Sequence, residues 1–340
     1  MRNLVKTTLS LAAAAIILPA LSFAGGRSIY GEDNRTEYFS ASAGVKALSD
    51  SVVSFWKSAS LETQASGEIK LQTVKFGDRL NLCAGEKFRE QPIGAFCSGS
   101  LVGEDLVMTA GHCVKTEEDC KNTKMVFGFA VKTAGGEATT SVPAGEVYGC
   151  ARIVKRFLGG EPGSVNPAGQ TLGPDFALVQ LDRKVTGHKP LLIDRNSALK
   201  KGSGVFVIGH PVGLPLKIAG SASVRDFSKI GYFTTNLDTF GGNSGSPVFN
   251  AKNNLVEGIL VRGDNDFNVT ADGCRTMATY AQTGGRGEDV TKIAALSEFI
   301  PVLSGREAPA KTAGADGTVG MDSSGLQSLD LTPSRTVSFD

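Results

Sequence analysis

Tryptophan is almost missing from this chain: one residue in 340, alongside only three histidines. Nor is there a Cys-x-x-Cys pair among its six cysteines, and His112, His188 and His210 stand far apart. That leaves no recognisable zinc-ligand spacing, and no metal or other cofactor is expected. Charge of one sign is also lacking. The net charge is +1, so the sequence makes no case for nucleic acid or an anionic membrane as partner. Beyond the first residues no apolar run reaches the ~20 needed to span a bilayer. No internal repeat is visible. What remains is a hydrophobic content of 41%, a charged content of 20% and 42 glycines. Such a composition fits a globular protein of one large or two ordinary domains, richer in turns and short strands than in long helices.

The N-terminus, "MRNLVKTTLSLAAAAIILPALSFAGG", carries Arg2 and Lys6, then an apolar stretch from Leu9 to Leu21. Ser22 and Ala24 are small residues suited to a cut at Ala24–Gly25, so residues 1–24 are expected to be a signal peptide of an exported, secreted or periplasmic protein. A membrane anchor is the competing reading, and Pro19 within a short apolar run argues against it. Export places Cys83, Cys97, Cys113, Cys120, Cys150 and Cys274 in an oxidising compartment, where an even count favours disulfides.

Residues 25–82 are mixed and read as a propeptide or an integral N-terminal arm, with processing possible near Arg27–Ser28. Within them "GVKALSDSVVSFWKSA" sets Val45, Leu48, Val52, Phe55 and Trp56 at roughly helical spacing. From Cys97 to Arg262 short apolar segments alternate with Gly, Pro, Asn and Asp, which predicts an all-β barrel or sandwich. "DVTKIAALSEFIPVL" repeats Val290, Ile293, Leu296 and Ile300 at helical spacing and predicts a C-terminal helix. The tail, residues 305–340, is poor in apolar residues and expected to be disordered.

The stretch "DTFGGNSGSPVFN", Asp238–Asn250, surrounds Ser244 with bare backbone. Repeated glycine there suits either a tight turn or a serine nucleophile beside backbone N–H donors. A nucleophilic serine needs a base, and every histidine precedes Ser244. Chain order therefore excludes the nucleophile-elbow hydrolases, whose G-x-S-x-G pattern also fails at Ser246. The order His, Asp, Ser remains. His112 ends the apolar segment "LVMTAGHCV", where a bridge from Cys97 to Cys113 would pin it. His188 in "TGHKP" reads as an exposed polar turn, and His210 in "IGHPVGLP" as a local packing or capping residue. Asp175 opens "DFALVQLD" and can be carried into the core beneath His112, whereas Asp182 reads as a solvated strand end. The remaining four cysteines leave three pairings open.

"TAGHC", "DFALVQLD" and "GGNSGSPVFN", in that order, resemble the trypsin/chymotrypsin superfamily of serine endopeptidases. "SIYGEDNR" and "GHPVGLPLKIA" resemble more closely the secreted bacterial branch that includes staphylococcal glutamyl endopeptidase. The resemblance covers Cys83 to Leu303, and more loosely from Ser28. It implies two antiparallel six-stranded β-barrels over residues 83–304 with the site between them. It also implies catalytic His112, Asp175 and Ser244, an oxyanion hole of the Gly242 and Ser244 amides, and a monomer acting on protein or peptide substrates. Two departures accompany it. Asn243 stands where animal trypsins carry the Asp that pairs with the freed N-terminus, so that switch is not expected here. Asp238, six residues before Ser244, matches the base of the trypsin specificity pocket and implies a preference for Arg or Lys before the cut. Val261 and Gly263 would border the pocket and pair with extended substrate. An acid-selecting pocket near Arg262, a broad apolar pocket, and a plain structural role for Asp238 are the alternatives. A non-catalytic binding protein on the same fold and an esterase are the rival functions. "DNDFNVTADG" lacks EF-hand spacing and reads as a solvated loop, and Asn34 and Asn268 begin glycosylation sequons.

Overall fold

A computed structural model describes residues 28–159 and 172–303. The signal segment, the Ala24–Gly25 cut and the tail lie outside the described residues. Twelve strands build the body. β1 (Val52–Lys57), β2 (Cys97–Leu101), β3 (Leu106–Thr109), β4 (Thr123–Phe127), β5 (Val147–Leu158) and β6 (Asp175–Leu181) close into one antiparallel barrel in the order β4-β5-β6-β3-β2-β1. β7 (Gly204–Gly209), β8 (Lys217–Asp226), β9 (Tyr232–Thr235), β10 (Pro247–Asn250), β11 (Val256–Arg262) and β12 (Glu288–Lys292) form the second, in the order β7-β10-β11-β12-β9-β8, closed by pairing of β7 with β8. The expected pair of six-stranded antiparallel barrels is therefore present.

Most of the strands are rich in β-branched or aromatic residues, which suits a pleated surface packed on a core. Val53, Phe55, Val107, Met125, Leu178 and their neighbours pack in one apolar cluster, which continues into Ile259 and Phe249 of the second barrel. Val205, Val207, Phe233, Val248, Leu260 and Val290 fill the second barrel.

Two sequence readings change. Val45 and Leu48 belong to a short helix, Ala43–Ser49, begun by the Ser42 hydroxyl, which accepts from the Val45 N–H at 3.4 Å. Val52, Phe55 and Trp56 instead lie in β1, where five of six residues are buried. A strand apolar on both faces has no period-2 signal, so helical spacing matched it by chance. The C-terminal helix is likewise replaced. Glu288–Lys292 is strand β12, hydrogen-bonded between β9 and β11, followed by two separate 3-10 turns, Ile293–Ala295 and Ser297–Phe299. Leu296, at φ −134° and ψ −4°, breaks the helical path between them. Neighbours on both sides satisfy the β12 backbone, and that tertiary pairing outweighs local periodicity.

The N-terminal segment is woven into both barrels. β1 is a full stave of the first, so that barrel draws on chain well before Cys83. Thr36–Glu37 adds to the edge of β8. Disulfides join Cys97 to Cys113, Cys120 to Cys150 and Cys83 to Cys274. Among the described residues no helix is long and apolar enough to cross a membrane.

Candidate active site

His112 follows β3, Asp175 opens β6, and Ser244 sits in the tight loop that leads into β10. Strands of the first barrel thus carry two of these side chains, and the second barrel carries the third. They meet in one hydrogen-bonded line. His112 Nδ1 lies 2.7 Å from Asp175 Oδ2, and His112 Nε2 lies 2.7 Å from Ser244 Oγ. A carboxylate can only accept, so Nδ1 carries the proton, and Nε2 of the neutral ring then accepts from the serine hydroxyl.

Asp175 is fully buried. Its Oδ1 accepts the backbone N–H groups of Gly111 at 2.6 Å and His112 at 3.2 Å. The carboxylate therefore fixes both the ring and the turn that bears it. Gly111 leaves the room: a Cβ there would lie 2.5 Å from the Phe157 carbonyl oxygen. Thr291 on β12 reaches across from the second barrel. Its hydroxyl accepts from Asp175 N at 2.9 Å and stands 2.8 Å from the Asp175 carbonyl oxygen. The Cys97–Cys113 disulfide ties the residue after His112 to β2. Cys97, His112 and Cys113 form the one cluster of metal-ligand type among the described residues, but the disulfide consumes both thiolates.

The loop around Ser244 is held from both sides. Ser98 on β2 is the hub, and sequence reading missed it. Its hydroxyl donates to the Gly242 carbonyl and accepts from the His210 N–H, both at 2.9 Å. Its own N–H donates to the Ser244 carbonyl at 2.8 Å. An ordinary serine in a strand, flanked by no motif, gives no signal for such a role. Gly242 has φ +86°, and a Cβ would sit 2.8 Å from both Gly213 N and the His210 carbonyl oxygen, so only glycine fits. Gly245 N donates to the Leu260 carbonyl at 2.8 Å, and Leu260 N to that of Ser246 at 3.0 Å, docking the loop on β11. Asn243 is buried, and its Oδ1 accepts from the Ser246 hydroxyl at 3.3 Å.

The other histidines are engaged elsewhere. His188 is not on an exposed turn: its ring stacks on Phe127 at 4.1 Å and its Nε2 meets Glu146 at 2.7 Å. His210 is buried, stacks on Phe129 and directs Nδ1 at the Leu214 carbonyl, 3.0 Å away. Burial pushes its pKa down to about 3, which keeps the ring neutral.

Around the expected specificity pocket the structure differs most from the sequence reading. Asp238 is buried, but its oxygens accept the backbone N–H groups of Tyr30 at 2.8 Å and Asn34 at 3.0 Å. It holds the N-terminal arm. Burial raises its pKa to about 6 in spite of these two donors. Ser28 and Arg35 flank the same contact. The Ser28 carbonyl accepts from Thr239 N at 3.1 Å, and the Arg35 guanidinium lies over the Phe240 ring, 4.3 Å from its centre. Arg262 donates from Nε to Asp289 at 3.1 Å, so its charge is matched inside the wall. A bulge at Val261 interrupts the pairing of β11 with β12, a device that redirects backbone next to functional sites. Gly263 follows at the strand end. The "DNDFNVTADG" segment is no merely solvated loop. Asp266 accepts from Gly241 N at 3.0 Å, and Asp264 accepts from the Tyr280 hydroxyl and Arg286 N.

Residues 97–259 match the family model described as a trypsin-like peptidase domain. The chain is 30% identical over 174 residues to Secreted RxLR effector protein 73 of Plasmopara viticola, an alignment covering 47% of this chain and 40% of that one. It is 26% identical over 162 residues to the glutamyl endopeptidase of Bacillus licheniformis, covering 45% of each. It thus spans less than half the length of these two relatives. Among solved structures, the Vibrio cholerae VesB protease aligns with a TM-score of 0.45 at 14% identity, covering 78% of this chain and 66% of that one. The family match lies across the two barrels, from β2 through most of β11, and there the chain is similar to the trypsin-like peptidases.

Proposed function

We propose that the protein is an exported serine endopeptidase that cleaves protein or peptide substrates through an acyl-enzyme, with a preference for Arg or Lys before the cut. The observation that carries this reading is the position of His112, 2.7 Å from Asp175 on one ring nitrogen and 2.7 Å from Ser244 on the other. The Ser244 oxygen attacks the peptide carbonyl while His112 Nε2 takes its proton. The resulting oxyanion is stabilised by the Gly242 and Ser244 N–H groups. The imidazolium, steadied by Asp175, then donates its proton to the departing amine as the C–N bond breaks. Water attacks the ester with His112 again as base, releasing the acid and restoring Ser244.

Preference for a basic residue is supported by the place of Asp238, buried in the loop six residues before Ser244. A glutamyl preference is the second reading, favoured by the named activity of the Bacillus relative. The carboxylate of Asp238 disfavours it, because a glutamate side chain beside it would meet like charge.

Peptide mapping of an unfolded protein mixture tests the reading. The mature protein is expected to cut after Arg and Lys, and Ser244→Ala to cut nothing. Cuts after Glu would replace the specificity assignment, and cleavage that persists in Ser244→Ala would overturn the mechanism.

A further inference from the structure

We infer that Arg156 is a positioning residue of the proposed triad: through the peptide that joins Gly111 to His112, its guanidinium holds His112 against Asp175 and balances the charge of the buried carboxylate. It rests on the endopeptidase reading above and adds a residue to the machinery of that same site. Arg156 lies on β5, opposite Ala177 of β6 and two positions before Leu158, which faces Asp175. Its side chain is half-buried, and its Nε donates to the Gly111 carbonyl oxygen at 2.6 Å. That carbonyl shares one planar peptide with the His112 N–H, which donates to Asp175 Oδ1 at 3.2 Å. In a trans peptide the two groups point opposite ways, so this one meets a cation at its oxygen and a carboxylate at its nitrogen. The Gly111 N–H reaches the same Oδ1 at 2.6 Å, and Asp175 Oδ2 continues the line to His112 Nδ1 at 2.7 Å. Gly111 lets the turn press against both strands. A Cβ there would lie 2.5 Å from the Phe157 carbonyl oxygen on β5 and 2.8 Å from that of Phe176 on β6.

The contact acts in two ways. A cation on a carbonyl polarises the peptide and strengthens its N–H as a donor, so Arg156 tightens the bond between the His112 backbone and Asp175. Held at both ends, the peptide also cannot swing and carry the ring off line. The second effect is electrostatic. Asp175 is fully buried, and a buried carboxylate is costly without a cation near it. Burial draws the Arg156 pKa down, while Asp175 and Asp119 push it back up. The guanidinium stays charged throughout, because arginine does not lose its proton in proteins. Its charged surroundings are Asp175 on β6, His112 in the turn after β3, and Asp119 in the short helix Glu117–Lys121. Glu117 of that helix is turned instead to the Ile153 N–H, at 3.0 Å. A cation beside the His112–Asp175 pair disfavours a further proton on it, so losing the cation lets the pair take one at higher pH.

The pH profile of kcat/KM separates this role from a merely structural one. In Arg156→Met the acidic limb should move up by about half a pH unit. Its plateau kcat should fall about tenfold while KM holds within about twofold, because the substrate is bound but the base is misplaced. Arg156→Lys keeps the charge and one donor, and should restore the limb and most of kcat. Arg152→Gln removes the same charge from the same strand, where Arg152 only meets Gln180, and should leave both unchanged. The proton between His112 Nδ1 and Asp175 gives a far-downfield NMR signal without turnover, and it should shift in Arg156→Met and return in Arg156→Lys. Thermal unfolding and labelling of Ser244 by a fluorophosphonate report the folded, competent fraction of each variant. Arg156→Gln, neutral but polar, carries the same measurements where methionine disturbs folding. An unmoved limb and signal in the neutral variants, or a shift that Arg152→Gln reproduces, would overturn the assignment and leave the endopeptidase reading intact. Absence of both labelling and cleavage in the wild type would sink both.

Discussion

The two barrels share a strand count but not an interior chemistry. In the first, from β1 to β6, the one buried charged side chain among the described residues is Asp175, which holds His112. The second barrel and its loops bury Lys217, Asp238, Glu257, Arg262, Glu288, Asp289 and Lys292. The first is pinned by two disulfides, Cys97–Cys113 next to His112 and Cys120–Cys150. The second is pinned to the N-terminal arm by hydrogen bonds and ion pairs, with Cys83–Cys274 the covalent tie. An apolar, cross-linked barrel suits a base and acid whose geometry must not vary. The buried charges of the second barrel are held by partners, among them Glu37 for Lys217 and Asp289 for Arg262. On the proposed reading, the first barrel orients His112 and Asp175 and the second offers Ser244.

Four experiments test this contrast. The largest effect should come from the first barrel's lone buried charge. Asp175→Asn leaves the fold but supplies an amide where Nδ1–H needs an acceptor, and kcat should fall by about 10⁴-fold in steady-state assays. A drop of less than tenfold would mean the first barrel does not orient the base. Next, Arg262→Met strips Asp289 of its buried partner and should cost about 3–5 kcal/mol in denaturant unfolding, reduced to the extent that Arg286, 2.7 Å from Asp289, compensates. Little or no loss would show that the second barrel's charges are not structurally coupled.

Third, the raised pKa of Asp238 has a definite sign. Its folded value, about 6, exceeds the ordinary 3.8, so the folded state holds the proton more tightly. Stability from this group is present below pH 3.8 and is lost as pH rises through 6. The stability difference between Asp238→Asn and wild type should therefore move in favour of the variant across that window, by about 3 kcal/mol. Denaturant titrations at pH 4 and pH 7 check it; a flat difference would mean that Asp238 is ionised without penalty. The smallest effect is expected at Ser98. Ser98→Ala removes two hydroxyl hydrogen bonds across the barrel interface and should cost about 1–2 kcal/mol. It should also lower kcat, because the Gly242 carbonyl loses its anchor. Unchanged kinetics would separate the interface from the oxyanion geometry.

Much of this was legible in the residues. His112, Asp175 and Ser244 are each marked locally: a histidine among small residues after an apolar strand, an acid opening another strand, and a serine among glycines. Their order left one arrangement open, and folding brings the three side chains into one hydrogen-bonded line. The β architecture was readable from turn spacing. Misreadings came where a short apolar run had no partner in view. Val290 to Ile300 repeats at helical spacing, yet β9 and β11 offer hydrogen bonds on both sides and draw Glu288–Lys292 into the sheet. Ser98 and Thr291 were invisible because a lone hydroxyl in a strand becomes significant only when another barrel arrives beside it.

Residue type and spacing already set which groups are on offer: a serine among glycines, a histidine beside a cysteine, an acid opening a strand, and an even number of cysteines. These are properties of residue type and local spacing, which short-range sterics and hydrogen bonding decide. Tertiary structure alone decided what each buried acid faces. Asp238 has the spacing of a pocket base, but the Tyr30 and Asn34 amides, from far earlier in the chain, reach it first. Glu288 lies far beyond the nucleophile and has no motif, yet strand register brings it against Thr239. A carboxylate in a low-dielectric interior takes its role from whichever donors and cations can approach it, and distant segments supply those only after the chain has folded.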